Sequence, residues 1–170
     1  GTITVGQSGD TISIPSGASL TVAGSSVTAV DNTPYFIAGK GGSQTSVSDN
    51  AYTQVTYVTE VADSGDNYAS STFTAPSAGK YFFSANVTIT PNSGNAIQTV
   101  LQFYKNGSGL DDYRATLITE GMEIAQQQLV ISGLISLAAS DTVKVYAKMN
   151  TDSGNATFAD GQFSGFKIIG

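Results

Sequence analysis

At 170 residues the chain is long enough for one domain with a sizeable core plus a small appendage. Charged residues are only 12% of it, thirteen acidic and seven basic for a net charge of −6, with the basic ones scattered singly, which argues against a nucleic-acid partner. There is no His and no Cys, so disulfides, Ser-His-Asp and Cys-His nucleophiles and ordinary zinc or copper sites drop out, and no apolar run is long enough for a helix inserted in a membrane.

The first thirty residues carry very short apolar-alternating runs, Ile3-Thr4-Val5, Thr11 to Ile14, Ser19 to Val22 and Val27 to Val30, separated by Gly/Ser-rich breaks. Strands this short cannot bury a face alone, so residues 1–33 read as a β-repeat stalk, with a flexible Ser/Gly linker as the other reading. Asp31-Asn32-Thr33-Pro34 marks the boundary, and residues 34–170 form the head, opening with the strand Tyr35 to Ala38. Gly39-Lys40-Gly41-Gly42 lacks the full phosphate-loop pattern and reads as a plain loop. Tyr52 to Val61 alternates as one strand, with Thr53, Val55, Tyr57, Thr59 and Val61 on one face.

The stretch Phe73 to Ile89 organises the rest. Pro76 to Gly79 turns the chain, and from Lys80 the residues alternate. Tyr81, Phe83, Ala85, Val87 and Ile89 take the core face; Lys80, Phe82, Ser84, Asn86 and Thr88 take the other. Pro91 to Asn95 turns the chain into a strand over Ile97 to Lys105, which Asn106-Gly107 closes as a hairpin. Strands follow over Asp111 to Thr119, Gln126 to Leu137, Thr142 to Met149 and Phe163 to Ile169, with Glu120 to Glu123 as a loop. Many strands at regular spacing with no convincing helix mean an all-β sandwich.

Asn67-Tyr68, Phe73, Pro76, Gly79, Tyr81 and Phe83, then Phe103 to Gly107, Ile135 to Val143 and Phe163-Ser164-Gly165-Phe166, resemble in their order the motifs of the complement C-one-q globular head. Thr72 and Ser140 stand where that family tends to have Gly, which puts the local loop shape in question. The resemblance implies a ten-stranded jelly-roll sandwich of the complement C-one-q and tumour necrosis factor group, assembled as a homotrimer. Phe82, Tyr104 and Tyr146, aromatics on otherwise polar faces, are the expected trimer-interface residues.

Catalysis is not expected, since general bases are scarce and Asp111-Asp112, neighbours on a strand, point to opposite faces. Asp63, Asp66, Asp111 and Asp112 are the candidate ligands for calcium, which members of the family often bind; the same residues also suit solvated turns. Asp111, Asp112 and Tyr113 are the candidate receptor-binding residues, in loops expected at the end of the head far from the stalk: Asp63 to Asn67, Asn106 to Tyr113 and Asn150 to Asn155. The stalk repeats and low charge look like those of marine phage structural proteins. The expected role is therefore the non-enzymatic trimeric head of a fibre-like virion appendage (a phage tail or head fibre). It would sit on the virion surface, held through its N-terminus to a virion attachment protein and meeting a host-surface glycan or protein. A bacterial extracellular or spore-surface adhesin or coat protein with the same head is the alternative.

Overall fold

A computed structural model describes residues 15–18, 20–22, 25–27, 32–120, 123 and 125–168. Contacts divide the chain into two compact units, Gly1–Asp31 and Asn32–Gly170. In the first, β1 (Leu20–Val22) pairs antiparallel with β2 (Ser25–Val27), Leu20 opposite Val27. Two of the expected stalk strands, 3–5 and 11–14, lie outside the described residues.

The second unit is a sandwich of two six-stranded antiparallel sheets. The first runs β12 (Gln127–Leu137), β9 (Gly79–Pro91), β14 (Ala156–Lys167), β3 (Tyr35–Gly39) and β6 (Thr59–Asp63), with β4 (Gln44–Val47) also on β14. The second runs β11 (Ser108–Ile118), β10 (Ala96–Lys105), β13 (Thr142–Thr151), β8 (Thr72–Thr74) and β7 (Tyr68–Ala69), with β5 (Thr53–Gln54) also on β13. From β8 onward the chain passes repeatedly between sheets, which is the jelly roll. The strands beyond ten are short ladders, such as the two-residue β5 and β7.

The core is aromatic and lies between the sheets. Tyr81, Phe83, Ala85, Val87 and Ile89 are fully buried, as the alternation of β9 requires. Phe36 stacks on Tyr68 with centroids 4.7 Å apart and meets the edge of Phe163 at 4.8 Å. Gly165 lies beneath these rings, where a β-carbon would fall 2.5 Å from Phe83. The Phe-x-Gly-Phe ending thus leaves room for the packed rings of Phe36 and Phe83.

One expected strand is two. Residues Tyr52 to Val61 do not form a single strand: β5 pairs with β13 in the second sheet and β6 with β3 in the first. The residues between them cross from sheet to sheet. Val55 and Tyr57 are buried in the crossing, but Val61, which continues the same alternation, is 65% exposed on β6. Backbone groups freed from a ladder must find other partners, and Tyr57 shows how. Its N–H donates to Ser71 Oγ at 2.9 Å, its carbonyl accepts from the Tyr68 hydroxyl at 2.8 Å, and its own hydroxyl donates to the Asn86 carbonyl at 3.0 Å. Burial drives the Tyr57 phenol pKa up, and that of Tyr68 up to about 12.

Candidate functional site

The outer face of the first sheet carries an apolar belt. Phe82 on β9 stands opposite Leu134 on β12 and Phe166 on β14, and Phe166 stands opposite Tyr35 on β3. Leu134, Phe82, Phe166 and Tyr35 therefore form one row across four strands. Tyr35, Leu134 and Phe166 are exposed and Phe82 is half-buried. Between Tyr35, Ile37, Phe82 and Phe166 lies a groove of about 320 Å³. The next row along the sheet is Ser132, Ser84, Ser164 and Ile37. The face thus changes within one row from aromatic to hydroxyl-bearing.

The outer face of the second sheet carries a different cluster. Tyr104 on β10 and Tyr146 on β13 stack with centroids 4.0 Å apart and planes inclined by 28°. Tyr52 lies 6.0 Å from Tyr104, and the Lys148 ammonium sits 5.3 Å from the Tyr52 ring centroid, within cation–π range. Partial burial raises the Tyr104 pKa, and Tyr52, Tyr146 and Asp111 add to the effect. The Asp111 carboxylate accepts from Gln102 Nε2 at 3.1 Å and pairs with Arg114 at 3.0 Å.

The three expected interface aromatics therefore do not make one patch. Phe82 faces outward from one sheet, Tyr104 and Tyr146 from the other. Asp111, Asp112 and Tyr113 are in strand β11, not in a hairpin loop, because the Asn106-Gly107 turn needs only two residues. Both have positive φ, 50° and 83°, the requirement of a tight hairpin turn. Asp111 belongs to the tyrosine face, whereas Tyr113 packs against Gly133 at the seam between β11 and β12 and donates its hydroxyl to the Leu134 carbonyl. Asp63 accepts from the Tyr68 N–H at 2.7 Å and keeps its other oxygen buried without a partner. Asp63 and Asp66 belong to β6 and the turn after it, Asp111 and Asp112 to the other sheet. Among the described residues no three acids, histidines or cysteines gather as a metal site would need.

The expected recognition loops also lie at opposite ends. Phe36 pairs with Asp63, so Asp63 to Asn67 sits at the end where β3 begins. Asn106 is at that end too, its amide donating to Asp141 at 2.7 Å in the turn between β12 and β13. Of the three segments, only Asn150 to Asn155 lies at the far end. There it meets Pro91 to Asn95: the Asn92 N–H donates to the Asn155 carbonyl at 2.8 Å and the Asn95 N–H to Asp152 at 2.8 Å. The sequence signal for this pairing is the near-repeat of Asn92-Ser93-Gly94-Asn95-Ala96 and Asp152-Ser153-Gly154-Asn155-Ala156.

No protein-family model matches the chain, and no curated protein matches it. Solved structures do match. The globular domain of zebrafish complement 1qA protein superposes with a TM-score of 0.54, covering 81% of this chain and 98% of that one at 19% sequence identity. The head has the complement C-one-q fold. Within that fold the motif residues take clear places: Phe73, Tyr81, Phe83 and Phe163 fill the core, and Asn106-Gly107 turns the β10–β11 hairpin.

Proposed function

We propose that this chain is a non-enzymatic, homotrimeric recognition head carried on a fibre-like virion appendage, exposed at the virion surface and meeting a host-surface glycan or protein. The belt Leu134–Phe82–Phe166–Tyr35 carries the reading. A row of large apolar side chains on the open side of a sheet marks a surface built to be covered. Other exposed apolar side chains do not add up to a second row: Leu117 and Ile118 are neighbours on β11 and point to opposite faces, and Val130 on β12 shares the face of Leu134. A ring of three copies uses a heterologous contact, the belt of one copy against a different surface of the next. Three copies is the number expected from the complement C-one-q resemblance. The β1–β2 hairpin supports short β repeats ahead of the head, as the virion reading requires.

Binding rather than chemistry is supported by a sequence without His or Cys and by carboxylates spread over separate elements. Light scattering of the whole chain tests the assembly. The expected mass is three times the 17.4 kDa protomer, and a monodisperse monomer at micromolar concentration removes the reading. Attachment of the purified trimer to candidate host cells tests recognition.

A further inference from the structure

Basic residues are scarce in this chain, yet four of the seven, Lys105, Arg114, Lys144 and Lys148, lie on β10, β11 and β13 of the second sheet. Two are neutralised where they stand, Lys105 by Asp141 at 2.8 Å and Arg114 by Asp111 at 3.0 Å. Among the described residues Lys144 and Lys148 join no ion pair. Both flank the tyrosines: Lys144 pairs in register with Tyr104, and Lys148 follows Tyr146 by two residues on the same face of β13. The Asp111 carboxylate, which bears on the Tyr104 phenol, is already held by Gln102 and Arg114.

We propose that this face binds an anionic polysaccharide. Tyr52, Tyr104 and Tyr146 offer flat apolar rings to the C–H face of a sugar, and the ammonium groups of Lys144 and Lys148 take its carboxylates or sulfates. Charge complementarity selects this ligand. A neutral glycan leaves both ammonium groups without a counter-charge. A nucleic acid brings a charge on every residue to a protein of net charge −6, and phosphate recognition rests on many basic contacts. A sparsely charged sugar chain needs only the two lysines beside the rings. The face lies on the sheet opposite the belt and is separate from it.

The inference rests on the recognition reading and is tested with the 170-residue chain at low ionic strength. The probes are carboxymethyl dextran and sulfated dextran oligosaccharides, both of low substitution, for carboxylates and sulfates, neutral dextran, and a single-stranded oligonucleotide. One anionic sugar binds and dextran does not, and the affinity falls as salt is added. Lys144→Gln with Lys148→Gln lowers the affinity at least about tenfold, Lys144→Arg with Lys148→Arg keeps it, and Tyr52→Leu weakens it, all with an unchanged melting temperature. Absence of binding to both anionic sugars overturns the proposal. So does a folded double Gln variant that binds like the parent, or tighter binding of the oligonucleotide. If these fail while the chain still attaches to host cells, the recognition reading stands and its surface lies elsewhere. Attachment to neither cells nor any glycan removes the recognition reading itself.

Discussion

Phe82 and Phe166 face each other across β9 and β14 with ring centroids 5.6 Å apart, on the side of the sheet turned away from the core. Cross-strand aromatic pairs contribute about 0.2–1 kcal/mol to a sheet, too little for their removal to unfold a sandwich of this size. Replacing both by Ser is expected to leave the circular dichroism of the β fold intact and to dissociate the proposed trimer in light scattering. Loss of fold in that variant would place these rings in the protomer core.

Phe83, one residue along, is expected to behave in the opposite way. It is completely buried and touches Phe36, Phe73, Tyr81, Phe103 and Phe163. Phe83→Ala removes transfer energy and leaves a cavity, for a loss of about 3–5 kcal/mol in denaturant titration. Gly165→Ala fails for the reverse reason. Its new methyl meets the Phe83 ring, and overpacking of this kind costs about 1–3 kcal/mol.

The end of the head where β3 begins carries a pH-dependent clasp. Lys105, Asn106 and the Ala138 N–H, in that order of effect, hold the Asp141 carboxyl down from 3.8 to about 2. A carboxyl lowered by folding adds stability above its unfolded pKa and loses it as the pH falls through the folded value. The melting-temperature gap between the parent and Asp141→Asn is therefore expected to be constant at neutral pH and to close between about pH 4 and pH 2. A gap independent of pH down to that limit would assign the residue no such linkage.

Ser140, in the same turn, has φ of 69°, a left-handed conformation that a β-carbon disfavours. This is one of the two positions where the motif tends to have Gly, and here the backbone keeps the Gly-like shape with a Ser in place. Ser140→Gly is expected to raise stability by up to about 1 kcal/mol, or roughly 2–4 °C in melting temperature. A fall on substitution would mean that the added freedom of the unfolded chain outweighs the relieved strain. The other position, Thr72, follows Ser70 and Ser71, both with positive φ, so there the turn itself is made by two serines.

Much of this was legible in the residues. The alternation from Tyr81 to Ile89 named both the core face and the odd aromatic, Phe82, because period two maps directly onto the two sides of a strand. Asn106-Gly107 named its turn because few other pairs accept two positive φ angles. The break within Tyr52 to Val61 was not legible, since alternation continues while the chain leaves one sheet for the other. The ends occupied by the loops were lost for a related reason. A loop's end depends on the direction of the strand before it and on its partner, and direction is a product of pairing, not of local pattern. The tyrosine cluster was half legible. Tyr104 and Tyr146 stood out as aromatics on polar faces, but Tyr52 joins them only because β5 docks beside β13.

The placement of β3 has a mechanical consequence. It is flanked on both sides, by β14 from Gln162 to Phe166 and by β6 from Thr59 to Asp63, and it begins at the end of the head where the chain enters. A pull on residue 32 directed away from the far-end turns runs along the axis of β3. Its rungs to both neighbours are then loaded together in shear and cannot open one after another like a zip. A head held at its N-terminal side while its ligand is drawn away would resist tension through that strand first.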